Sequence, residues 1–137
     1  MVKALLVSIA ICIGATGCAI APRLTAEQIG AADYGQEVRP SEAESIIRQR
    51  LSRTLFDPES LRFRGPTKTT KYWAVDEGGN YQFGWLALYG VNAKNRMGGY
   101  TGERMYAVMI RNGIVLGEFE DKGTHWFPDP NDHRLYR

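Results

Sequence analysis

Apolar residues recur at helical spacing in one segment of the chain and alternate with polar residues in several others. The helical segment begins at Ser41, because Ser41 to Glu44 matches an S/T-x-x-E capping sequence and Pro40 is expected just outside the helix. Its apolar residues follow at intervals of three and four: Ala43, Ile46, Ile47, Leu51 and Leu55. They predict one amphipathic helix that ends near Phe56, since Pro58 disfavours helical backbone before it.

The pattern after this helix changes to alternation, which is typical of strands. Asp57 to Ser60 predicts a tight corner. The strand candidates are Leu61 to Arg64, resumed through Thr67 to Val75; Tyr81 to Ala93; Arg104 to Arg111; and Ile114 to Glu120. Asn112-Gly113 predicts a type I′ hairpin turn, in which both positions need positive φ. The predicted fold class is α+β, with one N-terminal amphipathic helix packed on a three- to four-stranded antiparallel meander sheet.

The first 17 residues have the pattern of a secretory signal peptide. Lys3 supplies a basic start, and Ala4 to Ala15 form an apolar stretch that is shorter than the about 20 residues of a membrane-spanning helix. Ala15 to Cys18 resembles the lipobox of bacterial lipoproteins, although that pattern prefers Leu where Ala15 stands. The resemblance implies a signal peptide at 1–17 and lipid attachment at Cys18. An ordinary cleaved signal or a retained N-terminal membrane helix is the alternative interpretation.

The two cysteines bear on the compartment and on the chemistry. Cys12 lies in the segment predicted to be removed, and lipid would block Cys18, so the exported domain would have no thiol for a disulfide, a metal or a nucleophile. Ala19 follows Cys18 instead of the aspartate that is associated with inner-membrane retention. The lipoprotein resemblance therefore implies an anchor in the outer membrane, facing the periplasm, held stably by several acyl chains.

A chain of 137 residues with a net charge of +2 fits one small domain and does not imply a polyanionic partner. The expected organisation is a lipidated flexible tether at 18–40, a small α+β domain at 41–128 and a loose tail at 129–137. Thr25 to Gln28 matches a capping box, so a short helix is expected around Thr25 to Ala32. Trp126 to Pro128 is expected to cap the core.

The segment from Asn92 to Gly102 is the candidate functional site. Its glycines permit unusual backbone angles, and its asparagines can bond neighbouring backbone groups. One interpretation is a wide bulged connection with self-satisfying side chains; the other is a binding surface for a protein or a glycan. The candidate partner-binding residues are Asn92, Lys94, Asn95, Arg96 and Tyr100. A phosphate site is not expected, because neither a helix N-terminus nor a G-K-[ST] sequence follows the glycines.

Three stretches together are similar to a family of short, mostly uncharacterised exported or phage-borne bacterial proteins. They are the D-P-x-S sequence of Asp57 to Ser60, the Gly84-Trp85 pair, and the N-A-K-N-x-x-G-G-Y-x-G sequence of Asn92 to Gly102. The resemblance covers most of 41–110. It implies a shared fold but brings no established activity.

Other chemistries have weaker patterns. His125 and His133 lie near two aspartates, but prolines interrupt their spacing, so no metal or other cofactor is predicted. No G-x-S-x-G sequence marks a nucleophilic serine. The acidic residues Asp76, Glu77, Glu118, Glu120 and Asp121 are read as turn and edge residues, although paired carboxylates of a glycoside hydrolase remain an alternative. Lys68 and Lys71 beside aromatics are read as edge-strand lysines, so nucleic acid is not expected.

The sequence therefore predicts a non-enzymatic, lipid-anchored binding or structural module of the cell envelope. Its expected partners are the membrane, through the lipid on Cys18, and an envelope protein or glycan. One alternative is a small inhibitor or accessory subunit of a wall-active enzyme, or of a secretion or phage-related assembly. Another is a peptidoglycan-directed hydrolase.

Overall fold

A computed structural model describes residues 23–121. The predicted signal peptide, Cys18, Trp126 to Pro128 and both histidines lie outside the described residues. The elements are helices α1 (Ala26–Ala31) and α2 (Pro40–Thr54), a 3-10 turn (Pro58–Ser60), and strands β1 (Arg62–Arg64), β2 (Thr69–Val75), β3 (Tyr81–Asn92), β4 (Arg104–Arg111) and β5 (Ile114–Glu120). Neither helix in this part of the chain has the length and apolar character needed to cross a bilayer.

All five strands form one antiparallel sheet, so the predicted α+β class is confirmed. β3 pairs along one edge with β4, and β5 pairs with the far side of β4. The other edge of β3 is shared, because β2 pairs with its first part and β1 with its last three residues. The predicted count of three to four strands is wrong. The chain breaks between β1 and β2 at 65–68, where buried Pro66 lacks the N–H that a continuous strand would donate.

The main core lies between α2 and one face of the sheet. Ala43, Ile47 and Leu51 are buried on α2, at the spacing that puts them on one side of a helix. They cluster with alternate residues of the two central strands: Ala87, Tyr89, Val91, Val108 and Ile110. Burial of this apolar stripe, rather than intrinsic helix propensity, is the main source of stability for a helix of this length.

The start of α2 differs from the prediction. Arg39 is the N-cap residue and makes no side-chain capping bond, while Pro40 is the first helical residue instead of standing outside the helix. Proline suits that position, because its missing N–H would have no helical partner there and its φ is already helical. The backbone amides of Glu42 and Ala43 donate to the Arg39 carbonyl, so the predicted capping box at Ser41 does not form.

Part of the predicted tether belongs to the folded domain. α1 has the expected capping box: the Gln28 amide donates to the Thr25 hydroxyl at 3.2 Å, and the Thr25 amide donates to the Gln28 side chain at 2.8 Å. Tyr34 and Val38 are buried in the core. The Thr69 hydroxyl donates to the Val38 carbonyl at 2.6 Å. The domain boundary therefore lies upstream of the predicted residue 41.

The turn between β4 and β5 is confirmed as the expected hairpin turn. Asn112 has φ 50° and Gly113 has φ 78°, as a type I′ turn requires. The Asn112 side-chain oxygen also accepts from the Gln36 amide at 2.9 Å, which joins this turn to the segment before α2.

Truncating the buried side chain of Ile47 tests the contact of α2 with the sheet. Ile47 is 1% exposed, whereas Ile114 is 66% exposed and is a matched control. We expect Ile47→Ala to lower the free energy of unfolding by about 2 to 5 kcal/mol, because it leaves a cavity in the core. Ile114→Ala should change it by about 0.5 kcal/mol or less. Urea unfolding measures both values, and equal losses in the two variants would contradict the packing described here.

Candidate functional site

The D-P-x-S sequence forms a corner that reverses the chain between α2 and β1. The Asp57 carboxylate accepts from the Ser60 amide at 3.3 Å, and the Ser60 hydroxyl donates to the Asp57 carbonyl at 2.8 Å. Pro58 occupies the first position of the 3-10 turn. Asp57 and Ser60 thus satisfy each other's backbone groups and set the direction in which β1 leaves the corner.

The glycine-rich loop after β3 contains a small ordered hairpin at Lys94 to Tyr100. Lys94 and Tyr100 pair as an antiparallel bridge. The Asn95 amide donates to the Gly99 carbonyl at 2.9 Å, and the Gly98 amide donates to the Asn95 carbonyl at 3.0 Å. The Asn95 side-chain oxygen accepts from the amides of Met97 at 2.9 Å and Gly99 at 3.1 Å. Asn95 therefore organises the hairpin from within.

The hairpin is attached to the corner through Ser60. The Lys94 amide donates to the Ser60 hydroxyl at 2.9 Å, and the Tyr100 hydroxyl donates to the Ser60 carbonyl at 3.0 Å. The sheet register explains why these distant segments meet. Arg62, just after the corner, pairs with Asn92, just before the hairpin, so both segments lie at the same end of the sheet.

Three cations lie over aromatic rings on the outside of this assembly. The Arg62 guanidinium is 4.1 Å from the Tyr100 ring centroid, and the Lys94 ammonium is 5.8 Å from the same centroid. The Arg96 guanidinium is 6.0 Å from the Phe56 ring centroid. None of the ion pairs within residues 23–121 involves these three cations. Their charges are therefore available to an incoming anionic group.

Apolar atoms are exposed beside these cations. Met97, at the tip of the hairpin, is 94% exposed, and Phe56, at the corner, is 65% exposed. Large apolar side chains with this much exposure in one place are typical of an interaction site. We call this region the hairpin–corner surface, and its residues are Phe56, Arg62, Lys94, Arg96, Met97 and Tyr100.

The predicted site residues do not all lie on the hairpin–corner surface. Lys94, Arg96 and Tyr100 lie on the hairpin–corner surface. Asn95 is an exposed residue within the hairpin, and Asn92 is the half-buried last residue of β3. The Asn92 side-chain oxygen is buried with no hydrogen-bond donor among the described residues. Asn95 is exposed, and its side-chain oxygen is engaged by the amides of Met97 and Gly99.

Sequence reasoning missed three members of the surface. The sequence patterns predict Phe56 as the end of the helix, Arg62 as part of a strand and Met97 as part of the loop. A detectable signal existed for Met97 and Phe56, since each is a large apolar residue in a segment otherwise typical of turns. No local pattern indicated that Arg62 lies against Tyr100, because that contact depends on the pairing of β1 with β3.

A polar cluster apart from the hairpin–corner surface lies at the edge of the core. The Tyr89 hydroxyl donates to the Glu118 carboxylate, which also pairs with Arg50 at 3.5 Å. Burial raises the pKa of Tyr89 far above its usual range, and the Glu118 carboxylate adds to the rise. Tyr89 thus stays protonated and serves as a hydrogen-bond donor inside the core. The cluster links the side chains of β3, β5 and α2 through Glu118.

A shallow groove of about 290 Å³ lies between α2 and the turn of β4 and β5, and Arg50, Arg53 and Val115 are among its lining residues. Within residues 23–121, no group of three or more His, Cys, Asp or Glu side chains is placed to hold a metal ion. The hairpin–corner surface, with its exposed cations and apolar groups, is the candidate site among these residues.

Comparisons of the chain with known protein families, with curated proteins and with solved structures find no match. The resemblance of its motifs to exported and phage-borne proteins stays a prediction. The interpretation of the site rests on its own geometry.

Replacing Asn95 tests whether its side chain organises the hairpin. In Asn95→Ala the amides of Met97 and Gly99 lose their acceptor, which weakens two hydrogen bonds worth about 0.5 to 1.5 kcal/mol each. We expect exchange of these two amides with solvent deuterium to become about 2 to 10 times faster, as measured by NMR. Asn95→Asp keeps an acceptor and should retain the slower exchange. Unchanged exchange in Asn95→Ala would contradict the assigned role.

Proposed function

We propose that this protein is a lipid-anchored, non-enzymatic binding module of the cell envelope, and that the hairpin–corner surface contacts its partner. The observation that supports this most directly is the attachment of the hairpin to the corner, with Lys94, Arg96 and Met97 directed outward. The fold of the loop depends on Asn95, on the glycines and on the hydroxyl of Tyr100. The Lys94 and Arg96 side chains lie over the rings of Tyr100 and Phe56, and their charges are left for contact with a partner.

The chemistry of the surface favours a partner that carries carboxylates next to apolar or ring-shaped groups. Guanidinium groups bind carboxylates through two parallel hydrogen bonds, and an ammonium supplies a compact positive charge. The Met97 thioether adapts to irregular apolar shapes, and the Phe56 ring offers a flat face. Acidic envelope proteins and wall glycans with peptide carboxylates both present such groups.

Pre-organisation lowers the cost of binding at this surface. A free loop of this length would lose backbone entropy when it binds, which subtracts from affinity. Here backbone pairing, the Asn95 side chain and two bonds to Ser60 already fix the hairpin. The interaction energy of the exposed side chains is therefore available for the partner.

The proposed anchor is consistent with a surface that works close to a membrane. Eight residue steps separate Cys18 from Ala26, the first residue of α1, and an extended chain of that length spans at most about 30 Å. The domain would thus stay within reach of membrane-associated and wall components. Cys18 itself lies outside the described residues, and the lipid rests on its lipobox-like sequence.

Photo-cross-linking from Met97 in the native host tests the proposed contact. A photoreactive phenylalanine analogue at Met97 is expected to give a discrete cross-linked species with one envelope component. The same analogue at Ile114, which is also strongly exposed but lies on the turn of β4 and β5, is the matched control and should give little of that species. Equal products from both positions would contradict a contact specific to the hairpin.

Charge-matched variants then separate specific recognition from general attraction. Lys94→Gln with Arg96→Gln should reduce the Met97 cross-link strongly. Arg39→Gln with Lys68→Gln removes the same amount of positive charge at other positions. Arg39 is at the opposite end of α2, about 22 Å from the corner by helix length. That control pair should retain the cross-link. Equal losses from the two pairs would mean that net charge, and not this surface, drives binding.

The anchor is tested separately from the surface. We expect wild-type protein from its native host to lack residues 1–17, to carry acyl mass and to fractionate with membranes. Cys18→Ala should abolish the acyl mass and move the protein to the soluble fraction. An intact wild-type chain that still begins with Met1, or a cleaved one without acyl mass, would contradict the anchor while leaving the cross-linking result interpretable.

A further inference from the structure

The side chain of Met97 carries the most exposed sulfur atom of the described residues. It is 94% exposed at the tip of the hairpin. Met105 is half-buried on β4, where its sulfur accepts from the Arg64 guanidinium at 3.0 Å, and Met109 is 0% exposed. Residues 23–121 contain no cysteine, so these three thioethers are all the sulfur that this part of the chain offers to an oxidant.

The fold of the hairpin does not use the Met97 side chain. The backbone amide of Met97 donates to the Asn95 side-chain oxygen at 2.9 Å, and backbone bonds of Asn95 with Gly98 and Gly99 close the tip. Each of these bonds joins backbone atoms or the Asn95 side chain. A chemical change at the Met97 sulfur therefore leaves the hydrogen bonds of the hairpin in place.

The Met97 sulfur belongs to the hairpin–corner surface. Lys94 and Arg96 precede it in the hairpin, with their cations over the rings of Tyr100 and Phe56. A thioether is apolar and adapts to the shape of a partner. A sulfoxide is polar and chiral, and burying it without a hydrogen-bond donor costs free energy. Oxidation at this atom would therefore lower the affinity for a partner that covers the tip.

We propose that Met97 is a site of reversible oxidation by peroxide, and that its sulfoxide weakens the contact made by the hairpin–corner surface. The oxidation is independent of the proposed function, whereas its effect on the contact rests on that function. The Met97 sulfur takes one oxygen atom from hydrogen peroxide, the O–O bond breaks, and water leaves; the sulfur loses two electrons and the peroxide gains them. A methionine sulfoxide reductase reverses the step with a dithiol, which becomes a disulfide while the oxygen leaves as water.

Oxidation rates of the individual methionines test the first half of the proposal. The full chain is treated with dilute hydrogen peroxide and digested with trypsin. Cleavage after arginine places Met97 alone in the peptide 97–104 and places Met105 and Met109 together in 105–111, where fragmentation separates them. We expect Met97 to be oxidised as fast as in the urea-unfolded chain, and Met109 at least about tenfold more slowly than Met97. Equal rates for Met97 and Met109 in the folded protein would overturn this half.

A cross-link from Phe56 tests the effect on the contact. Phe56 is 65% exposed on the same surface, so a photoreactive phenylalanine analogue there reports the contact while Met97 stays in place. In envelope preparations from the native host, we expect peroxide to lower the cross-link about fivefold or more. Methionine sulfoxide reductase with dithiothreitol should restore it.

Two variants of Met97 assign the effect to its sulfur. Met97→Leu cannot form a sulfoxide and should retain the cross-link from Phe56 after the same peroxide treatment. Met97→Gln places a polar group at the tip and should lower the cross-link without peroxide. A cross-link that peroxide lowers equally in wild type and in Met97→Leu would overturn the proposed effect.

The failure of the oxidation effect and the failure of the contact give different results. A cross-link that survives complete oxidation of Met97 would overturn the effect and leave the contact standing. A Phe56 analogue that gives no discrete cross-linked species before treatment would contradict the contact, and the effect of oxidation with it. The oxidation rates of the methionines are measured on the purified chain and do not depend on either result.

Discussion

Backbone pairing along both edges of β3 holds the described domain together. β4 takes one edge, and β2 and β1 share the other, so each remaining strand either bonds to β3 or is one strand removed from it. A strand in this position has side chains on two buried faces, and the near-continuous apolar sequence of β3 meets that demand. α2 covers one of the faces, and the loss of either the pairing or the cover would expose a large apolar surface to water.

The same pairing creates the candidate site. Arg62 and Asn92 are thirty residues apart in sequence but opposite each other in the register of β1 and β3. The corner before β1 and the hairpin after β3 are thereby brought to one end of the sheet, where Ser60 joins them. In each segment, several backbone N–H and C=O groups form hydrogen bonds with nearby residues of the same segment. Together they present exposed cations and apolar groups on a rigid base, which is the arrangement that favours binding without a large entropic cost.

Local chemistry was predictable from the sequence, and long-range placement was not. The capping box at Thr25 and the type I′ turn at Asn112 depend on residues within a few positions of one another, and both are confirmed. The capping box predicted at Ser41 is wrong, because Pro40 suits the first helical position and moves the helix start. The division of the first predicted strand at Pro66, and the contact of Arg62 with Tyr100, both depend on which part of β3 each segment pairs with. Alternating patterns alone do not specify that choice.

Hydrogen–deuterium exchange of the protein isolated from its native host, with and without envelope material from that host, tests the proposed contact most directly. We expect slower exchange in the presence of envelope material at Leu55 to Ser60 and at Asn92 to Gly102, with little change in β5 or in the groove beside α2. Slower exchange confined to β5 or to that groove, or no difference at all, would contradict the assignment of the hairpin–corner surface as the contact site.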